Sequence, residues 1–178
     1  MAKGSTKKKR GGVVLGALGG VLILGGVAVL TALWLAPQEV ERVYGNVRTE
    51  AIGTVDRVRE QVFDDIPTVR LGVEGDRAEL DWCDGSFITM RSYEREGVPT
   101  TAAAHNNCGG DVLLSWDEGQ KVGIEGTDDV YEVVDIRYTS KIWSSTDDLV
   151  GLQGDLALQS CFYGEDRMKF VGMKKIEG

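Results

Sequence analysis

The chain holds a single histidine, His105, and three cysteines, Cys83, Cys108 and Cys161. His105 follows the apolar run 100–104 and opens the loop Asn106-Asn107-Cys108-Gly109-Gly110. Such loops commonly display reactive groups. Cys161 ends a second apolar run, 156–160, beside a Tyr163-Gly164 turn, and Arg167 comes six residues later. A hairpin reversing near Gly164 returns Arg167 towards Cys161. A thiol, an imidazole and a guanidinium gathered at one mouth of a barrel are the parts that acyl transfer needs. The thiolate attacks a carbonyl, the imidazolium protonates the leaving amine, and the guanidinium holds the substrate or the oxyanion. The plainer alternatives are a lone structural histidine, a Cys161 that is bridged or packed in the core, and an Arg167 that is merely solvated.

Short alternating runs carry these residues. Segments 69–73, 78–82, 87–90, 100–104, 121–125, 130–138, 156–160 and 168–174 read as strands, separated by turn signals such as Glu74-Gly75-Asp76 and Gly126-Thr127-Asp128. Eight short strands with frequent turns predict an all-β barrel or sandwich. Residues 116–119 read as a helical turn, and 144–154 as a loop with one helical turn at 146–150. Before the strands, Val40, Val43, Val47, Ala51, Val55, Val58 and Val62 recur at three- and four-residue steps. That is the spacing of an amphipathic helix, weakened by Gly45 and Gly53 and ended near Pro67. It reads as a stalk over 37–67, open to self-association or to packing on the β domain or on lipid.

Charge places the chain relative to a membrane. Lys3, Lys7, Lys8, Lys9 and Arg10 lie in the first ten residues, whereas no acidic residue precedes Glu39. Residues 11–36 are uncharged and exceed the roughly 20 needed to cross a bilayer. A cleavable signal has a shorter apolar core of about 7–15 residues. The expected layout is a basic cytoplasmic tip (1–10), a transmembrane helix (11–36), the helical stalk, and an extracellular domain (68–178). Basic residues next to the span keep the N-terminus inside the cell. Residues 37–178 carry 15 basic against 28 acidic side chains, a net −13, an acidic balance that argues against nucleic acid as a partner. Outside the cell, disulfides form, and three cysteines leave one thiol over. Cys83 with Cys108 is the expected bridge, which would pin the His105 loop. No four-ligand zinc set is in evidence, so neither a metal nor another cofactor is expected.

These residues resemble those of the sortases, the membrane-anchored cysteine transpeptidases of Gram-positive bacteria. Leu158-Gln159-Ser160-Cys161 stands where that family has LxTC, and Ala104-His105 where it has Gly-His. Glu165-Asp166-Arg167-Met168-Lys169-Phe170-Val171 stands for its last, Arg-bearing strand. His, then Cys 56 residues on, then Arg is the family's order. The pair 119–124 and 130–136 is similar to its GD-x-I and Y-x-Y-x-V strands. The resemblance covers about 69–176 and implies an eight-stranded sortase-like β-barrel. It also implies catalytic His105, Cys161 and Arg167, with Ala104, Asn106 and Ser160 flanking the substrate; turn chemistry is the plainer account of Asn106. Implied partners are proteins bearing a C-terminal sorting signal, an amine acceptor on a cell-wall precursor or a protein subunit, and membrane lipid. A reading from a different class is a non-catalytic, membrane-tethered β-domain that binds or scaffolds envelope partners.

Overall fold

The computed structural model describes residues 11–63 and 65–177, with side chains over 19–62 and 65–176. The tip 1–10 lies outside the described residues. Two compact units divide the chain, Met1–Val40 and Glu41–Gly178. The first is dominated by helix α1, Gly11–Leu35, which has no charged residue. Among the described residues, no single helix is long and apolar enough to cross a membrane.

Helix α2, Pro37–Phe63, starts with proline and a first-turn Glu39, both suited to a helix N-terminus. From Glu41 on, it belongs to the second unit, so the segment read as a stalk shares one compact body with the strands. The face that packs is not the valine stripe. Val43, Val47, Val55, Val58 and Val62 remain exposed, while Gly45 meets Tyr163 and Gly53 meets Ser115. A Cβ on Gly45 would sit 2.4 Å from the Tyr163 Cβ. The two glycines that lower helix propensity are thus points of close approach. Arg48 forms an ion pair with the buried Asp111, and Tyr44 meets Tyr163 edge-on at 5.5 Å.

Eight strands follow: β1 Thr68–Val69, β2 Leu71–Gly75, β3 Phe87–Met90, β4 Thr100–Ala103, β5 Lys121–Ile124, β6 Val130–Thr139, β7 Leu156–Cys161 and β8 Met168–Glu177. They form one sheet in the order β1-β5-β6-β8-β7-β4-β3-β2. Its two outermost strands are consecutive in the chain and separated only by Arg70, so the sheet curls into an almost closed barrel. Inside lie Phe87, Leu113, Trp116, Val122, Val133, Leu158, Val171 and Met173. Lys169 is buried there as well. Its ammonium donates to the carbonyls of Leu114 and Trp116, and burial lowers its pKa to about 8.

The expected strand count stands, but by a different partition. Segment 69–73 is two strands, β1 and β2. Segment 78–82 is no strand: Arg77–Leu80 form a helical turn, α3, whose Glu79 carboxylate accepts from the Asp76 backbone N–H at 2.8 Å. This reciprocal capping overrides the alternation. The helical turn expected at 116–119 lies earlier, as a 3-10 helix at Gly110–Ser115. The turn expected at 146–150 is present at Thr146–Leu149. Trp116 is core, whereas Trp82 and Trp143 are exposed.

Candidate active site

Strand alternation puts successive side chains of β7 on opposite faces. Leu156, Leu158 and Ser160 point into the barrel; Ala157, Gln159 and Cys161 point out, where Ala157 packs in a second cluster with Leu149, Leu152, Phe170, Tyr93 and Met168. β4 runs parallel to β7 with Thr101 opposite Ala157 and Ala103 opposite Gln159. The pairing goes on past the strand end: the Ala104 N–H donates to the Gln159 carbonyl at 3.1 Å, and the Ser160 hydroxyl donates to the Ala104 carbonyl at 3.0 Å. His105 and Cys161 are the next residues along the chain after this last bonded pair.

Cys161 is the one free cysteine, since Cys83 and Cys108 are joined in a disulfide. Its sulfur is partly buried, and burial pushes the thiol pKa up. Two neighbours oppose that rise: the Lys141 ammonium, by its charge, and the Gln159 side-chain amide, which donates to the sulfur at 3.6 Å. Tyr93 lies close enough for the sulfur's charge to act on it. Its own burial, with that charge, pushes the phenol up to about 12. Lys141 is held from two sides. Its Nζ donates to the Phe162 carbonyl at 2.9 Å, and its backbone N–H donates to Asp166 at 2.8 Å. Asp166 also accepts from the Ser140 hydroxyl at 2.7 Å, which ties the turn after β6 to the β7–β8 hairpin.

The loop after β4 is fixed by its own backbone. The N–H groups of Cys108 and Gly110 both donate to the His105 carbonyl, at 2.9 and 3.0 Å. A Cβ on Gly110 would lie 2.4 Å from the Ala104 carbonyl oxygen, so glycine is needed for this close approach. The imidazole Nε2 sits 2.9 Å from Asp81 Oδ1, just past α3, and no hydrogen bond joins the ring to the thiol. On the far side, Tyr163 donates from its hydroxyl to the Asn106 carbonyl at 2.9 Å and to Asp111 at 3.0 Å.

The remaining sequence candidates are placed differently. Cys161 pairs with Met168 across the β7–β8 hairpin, and the Phe162 N–H donates to the Arg167 carbonyl at 3.0 Å. Arg167 is therefore one residue out of step with Cys161 and projects from the other face. Its guanidinium lies 3.9 Å over the Phe162 ring and 5.4 Å from that of Tyr138, and pairs with Glu165 at 3.0 Å. Ala104 and Ser160 are buried, so their side chains hold the strands together and do not line a substrate face. The Asn106 side chain accepts from the Asn107 N–H, a local turn bond. Asp81, Lys141, Gln159 and Tyr93 escaped the sequence reading. Only Gln159 carried a signal, as an outward residue two positions before the cysteine.

Thiolate, not thiol, is the reacting species. Alkylation of Cys161 by iodoacetamide is therefore expected to accelerate on the alkaline side of the ordinary cysteine range. Lys141→Gln removes the cation that favours the thiolate and moves the whole profile further up. At fixed neutral pH its rate falls roughly three-fold, the effect of one surface charge interaction worth under ~1 kcal/mol. Arg167→Gln leaves the profile in place.

No protein-family model and no curated protein matches the chain. Among solved structures it is similar to a Clostridium perfringens sortase D transpeptidase, at 19% identity and a TM-score of 0.38, over 58% of this chain and 69% of that one. It is also similar to Clostridium perfringens sortase C, whose structure is described with the C-terminal cell wall sorting motif, at 17% identity and a TM-score of 0.39. That overlap covers 61% of this chain and 63% of the other. Neither likeness transfers an activity to this chain.

Proposed function

We propose that the chain is a sortase-like cysteine transpeptidase, tethered by residues 11–36 with its β domain outside the cell. The observation that supports this reading is the parallel β4–β7 register, whose last bonded neighbours, Ala104 and Ser160, immediately precede the single histidine and the single free thiol. Cys161 Sγ attacks the peptide carbonyl of a C-terminal sorting signal, and its proton passes to His105. The leaving amine takes that proton as the C–N bond breaks, leaving a thioester. An acceptor amine from a cell-wall precursor or a protein subunit then attacks, gives its proton to His105, and expels the sulfur. The Gln159 amide, which donates to the sulfur, is a donor on the sulfur's side for the developing oxyanion. Where the family resemblance assigns the cation to Arg167, we assign it to Lys141, whose charge acts on the Cys161 sulfur.

The test is mass spectrometry of the full chain incubated with a panel of sorting-signal peptides and an amine nucleophile. An adduct on Cys161 and an amide product are expected. Their absence across the panel would sink the reading. The burial that raises the thiol favours a second reading, a tethered scaffold; that reading predicts no adduct and a thiol indifferent to His105→Ala.

A further inference from the structure

Asp81 lies 24 residues before His105, in an element that the site described above does not otherwise use. It closes the four-residue turn α3, and its two oxygens are divided between partners. Oδ2 faces Arg77 Nε at 3.9 Å, and Oδ1 faces His105 Nε2 at 2.9 Å. The Cys83–Cys108 disulfide crosses between the same two loops. It starts two residues after Asp81 and ends three residues after His105, with its Cα atoms 5.0 Å apart. The two loops therefore cannot drift apart while the bridge is intact. A carboxylate is an acceptor only, so the nitrogen facing it must carry a proton.

We infer that Asp81 is a positioning residue that holds neutral His105 as the Nε2–H tautomer and makes Nδ1 the nitrogen that exchanges protons with Cys161 and the amines. The inference rests on the transpeptidase reading for its consequence, though not for its geometry. With Nε2–H committed to Asp81, the Nδ1 lone pair takes the Sγ proton as the sulfur adds to the carbonyl. The imidazolium then returns that proton, from Nδ1, to the departing amine. In the second half-reaction, Nδ1 accepts a proton from the attacking amine and passes it to the expelled thiolate, which restores the starting state. The Asp81 carboxylate, facing Nε2, stabilises the imidazolium. A base oriented by a third group is the general logic of activated nucleophiles.

Because the chain has one histidine, a single imidazole reports the answer. The experiment uses the full chain in detergent micelles, labelled with 15N-histidine, and reads the two ring-nitrogen shifts of the neutral form. Alongside, it follows the rate of thioester formation on the peptide that gives an adduct. The wild type is expected to show the Nε2–H tautomer. Asp81→Ala is expected to give a tautomer mixture and thioester formation about ten-fold slower, a part of the 10²–10⁴-fold that a positioned base contributes. Asp81→Asn, whose amide can turn its NH2 to the ring as readily as its oxygen, is expected to release the tautomer as well and to slow thioester formation at least as much. A wild-type ring in the Nδ1–H form would overturn the inference, as would an Asp81→Ala chain unchanged in both readouts. If no peptide gives an adduct, the transpeptidase falls, and the tautomer measurement still judges Asp81 on its own.

Discussion

Replacing Cys161 by Ala is expected to abolish the covalent adduct and to lower amide-product formation by at least about 10⁴-fold, the scale seen when a nucleophile is removed from a catalytic unit. The chain has no other free thiol to take its place. His105→Ala should cost about 10²–10⁴-fold, the usual share of a general acid–base. Combined, the two substitutions should cost little more than Cys161→Ala alone, because both groups serve one proton path. The measurement is product formation by mass spectrometry, with the unfolding midpoint as the control. Cys161 sits at a partly exposed strand end, so its truncation should leave the fold in place. A Cys161→Ala chain that still transferred peptide to the amine would rule out the mechanism.

The largest effect on stability is expected at the seam between α2 and the barrel. Asp111 is 1% exposed, and Arg48 is the cation beside it. Its neighbour Tyr163 supplies one further hydrogen bond. Arg48→Met leaves a buried carboxylate without its counter-charge, which costs about 3 kcal/mol. For a body of this size, that lowers the unfolding midpoint by roughly 10 °C. The double variant Arg48→Met with Asp111→Asn should recover part of the loss, since it removes the orphaned charge. Thermal unfolding of the three chains checks this. The same substitution should also slow peptide transfer, because Tyr163 links the seam to the His105 loop through the Asn106 carbonyl.

Much of this molecule can be read from its residues, and the parts that cannot share a physical cause. Strands such as β3 and β5 announce themselves by alternation between glycine turns. The Cys83–Cys108 bridge follows from an odd cysteine count once Cys161 is set aside. Alternation is silent about neighbours, however. It does not show that Arg70 splits one apolar run into two strands that pair at opposite edges. Nor does it show that Asp76 and Glu79 cap a helical turn where a strand pattern continues. The site suffers most from this silence. Lys141 and Asp81 come from turns far from Cys161 and reach the site only through strand register and a disulfide. Arg167 illustrates the sensitivity. Counting residues back through the hairpin brings it near Cys161, but a one-residue offset sends a strand side chain to the other face. The valines of α2 mislead in the opposite sense: their periodicity identifies the helix, while glycines and Arg48 make the contact.

The single residue between β1 and β2 sets how the protein fails. Arg70 carries the chain from one lateral border of the sheet to the other, with its carbonyl accepting from the Phe87 N–H at 2.8 Å. Among the described residues, the border strands β1 and β2 pair only with β5 and β3, so that peptide link is what ties the two borders together. A protease cutting after Arg70 would sever that tie and let the two border strands part, opening the barrel along one line.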